Sequence, residues 1–254
     1  MTIYSSVTLL NDGLFDAIRV TLRRDGTTNA SVSLFFARVL GVDQGNMTAS
    51  ATAVLQKPTN IVPGSAVLPF AIPADVWDDK GMGDSWSIYS DGKMIDEYGS
   101  EISGNWGTVD IGHEGNSTHD LNDQILDGLH QSDLDILYEA NRIDQNTHID
   151  ATVDMWVNAD TGLSQGVKQS VELIHGEVRF VPIYSQNNGE PGNNLEFHIT
   201  GWGIVTVVDS NFGDDMWINI QKTYAYLGSL TPQPDLSIDA GTMEGAFTSP
   251  VLVE

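Results

Sequence analysis

Three apolar segments near the end of the chain constrain its fold most. They are VRFVPIYS at 178–185, LEFHITGWGIVTVVDS at 195–210 and DMWINIQKTYAYL at 215–227. Each is rich in β-branched and aromatic residues, which favour a pleated, half-buried surface. The turn-forming runs NNGEPGNN (187–194) and NFGDD (211–215) separate them. A meander of long strands is therefore expected here, and the rest of the chain must supply what packs on it.

Upstream, DAIRVTLRR (16–24) sets Ile18, Val20 and Leu22 against Arg19, Thr21 and Arg23, the alternation of a half-buried strand. SVSLFFARVLG (31–41) places Leu34, Phe35, Val39 and Leu40 at helical spacing and ends on Gly41, so the spacing predicts a helix. NMTASATAVLQ (46–56) reads as a second strand. The stretch 58–73 holds four prolines and reads as a connector crossing the surface. Residues 84–99 read as a hairpin about Asp91-Gly92. A capped helix is expected over 116–129, with Leu121, Ile125 and Leu129 on one stripe. Residues 131–150 are acidic and show no clear period. A strand running into a turn is expected over 151–162, then a helix over 163–176 with Val167, Val171 and Ile174 inward. The expected class is α+β: a sheet-rich single globular unit with a few short helices. Within it, 1–57 is a strand–helix–strand segment, 58–230 is the main sheet-rich region packed with it as one domain, and 231–254 is a loose tail.

Composition narrows the function. Acidic residues outnumber basic ones 35 to 11, a formal charge of −24. Such a surface repels phosphate backbones and anionic headgroups, which argues against nucleic acid as a partner. It suits a salty medium, a basic partner or Ca²⁺. There is no cysteine, so disulfides, thiolate nucleophiles and Cys-ligated zinc are excluded. No segment reads as a membrane span, and MTIYSSVTLLNDG at the start lacks the basic and apolar regions of a signal peptide.

Four patterns carry possible chemistry. GLSQG (162–166) matches a nucleophile elbow centred on Ser164, between an expected strand and helix. Its histidine would have to be His175 or His198. Only glutamates (Glu172, Glu177, Glu190, Glu196) lie between Ser164 and His198, and no further strand–helix units follow. Asp160-Thr161-Gly162 resembles an aspartic-protease triplet, but no second copy occurs. The six histidines form no H-x-H or H-E-x-x-H pattern. The oxygen-rich stretches 110–120 and 211–215 are candidates for Ca²⁺, without EF-hand spacing. Trp77, Trp86, Trp202 and Trp217 are candidates for stacking on sugars if exposed.

GNWGTVDIG (104–112) sets Gly104, Asn105, Trp106 and Gly107 ahead of Asp110. Its glycines permit close backbone approach and its tryptophan supplies apolar area, so it reads as a structural corner with Asp110 as a turn or cap acceptor.

Taken in order, these segments resemble the soluble part of TadG-like proteins of the tight-adherence (Flp) pilus-assembly system. Phe35-Phe36-Ala37-Arg38, Gly41 and Ala49-Ser50-Ala51-Thr52-Ala53 stand where that family has an FFar-type helix and an Ala-Thr-Ala strand. GNWGTVDIG, LNDQILDG, DTGLSQGVKQSVELIHG, VRFVPIYS, LEFHITGWGIVTVVDS and MWINIQ follow in the family's order, so the resemblance spans roughly 15–222. It implies a non-enzymatic cell-envelope protein, extracytoplasmic, that assists assembly or anchoring of an adhesion pilus. Its partners would be pilus-assembly or envelope proteins. It implies no cofactor, and attachment to a membrane only through an N-terminal anchor that this chain would lack. Gly104, Asn105, Trp106, Gly107, Asp110, Asp160, Thr161 and Gly162 then belong to structural corners. The alternatives are a Ca²⁺-dependent adhesion or glycan-binding module, and a serine hydrolase using Ser164.

Overall fold

The structure, a computed structural model, describes residues 4–8, 17–27, 29–54, 58–102, 106–112, 117–160, 163–190, 194–226, 243–244, 246–247 and 251–253. The chain divides into two compact units, residues 1–56 with 249–254, and residues 57–248.

The first unit is an antiparallel sheet of β1 (Tyr4–Thr8), β2 (Ala17–Arg24) and β3 (Met47–Val54), with Val251–Val253 added beside β3. The register sets Arg19 opposite Thr52 and Thr21 opposite Ser50. Side chains bond across both pairs: Arg19 Nε donates to Thr52 Oγ1 at 3.1 Å, and the Thr21 and Ser50 hydroxyls lie 3.0 Å apart. Both strands were expected. The helix over 31–41 is not formed. Val32–Ser33 pairs with Gln44–Gly45 as a small hairpin, and only Ala37–Leu40 turns, as a 3₁₀ helix ended by Gly41 at φ 77°. The reason is packing. A short helix needs an apolar face buried against something, and here Phe35, Phe36, Val39 and Leu40 stay 80–90% exposed.

In the second unit ten strands form one sheet. Its main members are β4 (Phe70–Pro73), β5 (Ser85–Tyr89), β6 (Met94–Asp96), β7 (Gly107–Asp110), β8 (Met155–Asp160), β9 (Val178–Asn187), β10 (Glu196–Asn211) and β11 (Trp217–Lys222). Five of them close on themselves. β10 pairs with β8, β8 with β7, β7 with β4, β4 runs parallel to β9, and β9 returns to β10. From the far half of β10 the sheet continues through β11, β5 and β6. The sheet-rich α+β class follows, and the long C-terminal strands stand where the sequence places them.

The strands feed two cores. Ala71, Val109, Val157, Ala159, Phe197 and Ile199 belong to one, with Leu134 and Leu137 of helix α3 (Gln131–Glu139) packed into it. Phe70, Ile72, Val181, Val205 and Val207 belong to the other, covered by α1 (Ala74–Asp79), α2 (Thr118–Asp127) and α4 (Lys168–Leu173). Two expectations change here. The stretch 58–73 is no surface connector: Ile61, Val67, Leu68, Phe70 and Ile72 are fully buried, and β4 lies in the sheet. Pro69 keeps a carbonyl that accepts from Val109 N at 2.9 Å, and Pro73 caps α1, so its prolines sit where no ladder donor is needed. Residues 131–139, acidic and without obvious period, form α3, started by a capping box in which Asp133 Oδ2 accepts from His130 N at 2.8 Å. Of the tail from 231, residues 243–244, 246–247 and 251–253 are strands, and the rest lies outside the described residues.

Among the described residues four charged side chains are buried: Asp110, Asp133, Arg179 and Lys222. Lys222, 2% exposed, donates from Nζ to the carbonyls of Trp77 (2.9 Å) and Lys80 (2.8 Å) at the end of α1, and sits 4.4 Å over the Trp77 ring. A cation there satisfies carbonyls that the helix leaves open. Lys222→Met keeps the stem but strands those carbonyls. It should cost about 2–4 kcal/mol, read as a lower urea midpoint with an unchanged slope.

Tyr184 stacks on Phe197 at 4.2 Å, and burial, helped by the Asp75 carboxylate, pushes its phenol up to about 12. In the unfolded chain it ionises near 10. The native state therefore loses stability as pH rises from about 10 to 12, and keeps it in full below. Tyr184→Phe should flatten that part of the alkaline stability curve.

Candidate functional site

Two of the sequence motifs meet in the sheet. β7 carries Gly107, Thr108 and Asp110, and β8 ends on Asp160, with Thr108 opposite Asp160 and Asp110 opposite Asn158. Trp106, immediately before β7, is fully buried; its Nε1 donates to Tyr89 O at 2.8 Å and its ring meets Phe70 edge-on at 5.5 Å. Gly107 has no room for a side chain. A Cβ there would lie 2.6 Å from Asp160 O and 2.8 Å from the Phe197 ring. Asp110 is 1% exposed at the end of β7. Beyond it Gln124 of α2 holds the chain, donating from Nε2 to Ile111 O at 2.7 Å. Gly112, at φ 102°, packs against α3, where a Cβ would come within 2.5 Å of Asp133 Cα. Gly104, Asn105, Thr161 and Gly162 lie outside the described residues.

Below this corner opens a cleft of about 490 Å³, with Asp110, Leu137, Arg142, Trp156, Asn188 and Glu196 among its walls. Arg142 and Glu196 form an ion pair across it. One guanidinium, carboxylates, side-chain amides and one indole make it a polar cleft suited to hydrogen-bonding a polar chain.

The serine at the elbow position does not meet a histidine. Ser164 Oγ accepts from Gly166 N at 3.1 Å and begins the 3₁₀ turn Gln165–Val167, and Thr118 Oγ1 lies 3.5 Å away. His175 Nε2 instead faces Ser210 Oγ at 2.9 Å. His198 joins a different set: Nδ1 is 3.2 Å from Ser185 Oγ, Nε2 is 3.6 Å from Asp154 Oδ2, and the ring lies 4.8 Å from that of Trp156. Serine, imidazole and carboxylate thus do come together at His198, though with a serine and an acid, Ser185 and Asp154, that the sequence did not single out. The arrangement runs against acyl transfer. In a hydrolase triad the serine faces Nε2 and a buried acid holds Nδ1. Here the two ends are exchanged, Asp154 is 54% exposed, and none of the three lines the cleft.

The sugar-stacking candidates are core residues: Trp77, Trp86 and Trp202 are 3% exposed or less, and Trp217 is half-buried. In the turn 211–215 Asn211 Oδ1 accepts from Gly213 N at 3.0 Å and Nδ2 donates to Asp215 O at 2.9 Å. Among the described residues no group of three or more histidines and carboxylates is placed to hold a metal ion, and no helix is long and apolar enough to cross a membrane. Sequence reasoning also missed the exposed apolar ridge at 35–40. Its only signal was a helical stripe with no partner stripe nearby.

Residues 5–53 match the family model described as "Putative Tad-like Flp pilus-assembly". That span runs from β1 through nearly all of β3. Comparison with curated proteins and with solved structures gave no match. The likeness to that family thus lies in the first 53 residues of the 254-residue chain.

The corner can be tested by single methyl groups. Gly107→Ala and Gly112→Ala should each cost about 3 kcal/mol or more, since backbone must move. Gly99→Ala, at φ 84° with open space around it, should cost only about 1 kcal/mol. Urea denaturation of the three variants checks the order.

Proposed function

Starting from a Tad-like pilus-assembly segment that coincides with a compact unit of its own, we propose that the protein is a non-enzymatic component of the cell envelope. It assists assembly or anchoring of a Flp-type adhesion pilus from the extracytoplasmic side, through protein–protein contact. The observation that carries this reading is the family match over 5–53. Two features support it. The buried residues of the corner, Trp106, Gly107 and Gly112, hold strands and helices together. The side chains of Phe35, Phe36, Val39 and Leu40 face solvent, as in surfaces that bind protein. Gly104, Asn105, Asp110, Asp160, Thr161 and Gly162 are read as parts of the same scaffold.

The test is genetic. Deleting the gene in its source organism should remove surface pili and reduce attachment to a solid surface, and the intact gene should restore both. The variants Ser164→Ala, Ser185→Ala and His198→Ala should restore them fully. Normal piliation and attachment after deletion would overturn the pilus role. A folded Ser185→Ala variant that fails to complement would overturn the non-enzymatic one.

A further inference from the structure

The exposed ridge and the charge of the chain bear on each other. Phe35 and Phe36 are 80% and 86% exposed, their rings edge-to-face at 5.2 Å, and Val39 and Leu40 beside them are 90% and 84% exposed. An aromatic side chain alone carries roughly 150–250 Å² of burial. The ridge thus reaches the size at which an apolar patch on a soluble chain marks an interface.

The same unit carries a receptor for it. A cleft of about 460 Å³ opens between β2, β3 and the turn that follows β2, walled by Leu22, Ala30, Met47 and Ala49, with Arg23 and Arg24 on its rim. Leu22 is 39% and Met47 59% exposed. Met47 is a polarizable side chain that adapts to aromatic rings, and an arginine rim suits a ring face. Arg24 Nε donates to Ala30 O at 2.9 Å, which fixes that rim.

Charge selects the occupant. Residues 1–56 contain four aspartates and four arginines and no other charged side chain, so this stretch is formally neutral. All of the −24 falls in residues 57–254. Copies that meet through the acidic part repel each other, whereas a contact between the neutral 1–56 stretches meets no such local opposition. We propose that the chain self-associates through its N-terminal unit, with the Phe35–Phe36 ridge of one copy seated in the Leu22–Met47–Ala49 cleft of a second. This goes beyond the pilus reading and stands apart from it, because it is measured on the purified chain.

Sedimentation equilibrium of the full chain should show a concentration-dependent association between micromolar and millimolar protein. Phe35→Ser with Phe36→Ser should weaken it at least about 30-fold, the loss expected when central aromatic anchors are removed. Ala49→Glu, which places a carboxylate in the cleft, should weaken it as much, with circular dichroism unchanged for both. The decisive step mixes the two variants. One retains an intact cleft and the other an intact ridge, so the mixture should form a one-to-one pair that neither forms alone. A chain that stays monomeric over that range, an association untouched by the ridge variant, or a mixture that fails to pair would each overturn the proposal. So would a monomeric chain that floats with phosphatidylcholine–phosphatidylglycerol vesicles, which would assign the ridge to a lipid surface.

Discussion

The second unit depends on satisfying both edges of β10. A strand of sixteen residues, half of them buried, cannot leave its inner donors and acceptors without partners. One edge goes to β9 along residues 197–206. The other is shared out: β8 takes Glu196–Ile199, Met243–Glu244 takes Trp202 and Gly203, and β11 takes Val205 onward. This division makes the closed ring and its extension parts of one sheet. It also explains why the two cores share strands and differ in helices.

A second dependence runs through the same strand. Gly203 has no side chain, and a Cβ there would lie 2.3 Å from the Trp77 ring. Trp77 can therefore pack directly against the backbone of β10. Its ring then carries Lys222, which stands on β11 opposite Val205. Glycine, indole and ammonium form a closed circuit from β10 through α1 to β11 and back. Removing the glycine's freedom displaces the ring, and displacing the ring uncovers a buried cation. The cost of a buried charge without its partners is what makes this circuit cooperative.

Most strands were legible because alternation is a local signal: β2, β5, β6, β8, β10 and β11 each announce a face. β4 was not, since a strand buried on both faces has no alternation, and its prolines look like breakers until the Pro69 carbonyl is seen accepting from Val109 of β7 and Pro73 is seen capping α1. The helix over 31–41 failed in the opposite way. Its period was present, but period alone does not supply the packing partner that stabilises one turn. The α3 stripe of Leu134 and Leu137 was masked by acidic neighbours and read only once its capping box was visible. Among possible reactive groups, Ser164 is taken up as the cap of the turn Gln165–Val167. The Ser185–His198–Asp154 set was out of reach, because it depends on the register shift between β9 and β10 near Tyr184, and no local pattern encodes a shift.

The contrast between the two units bears on what such a chain associates with. Apolar side chains in the second unit are largely spent inside, on the Trp106 corner and the Trp77 circuit, and nearly all of the negative charge belongs to it. The first unit does the reverse: its residues 1–56 are formally neutral and hold Phe35, Phe36, Val39 and Leu40 in water. Burying such side chains would stabilise it by roughly 25 cal/mol for each Å² covered, so their exposure is a standing cost unless something covers them. A neutral sheet with an apolar ridge is prone to indiscriminate association. A chain-wide charge of −24 opposes that by long-range repulsion, while leaving short-range contact open to a surface shaped for the ridge. Acidity and exposed hydrophobicity then act together, one suppressing the general encounter and the other rewarding the specific one.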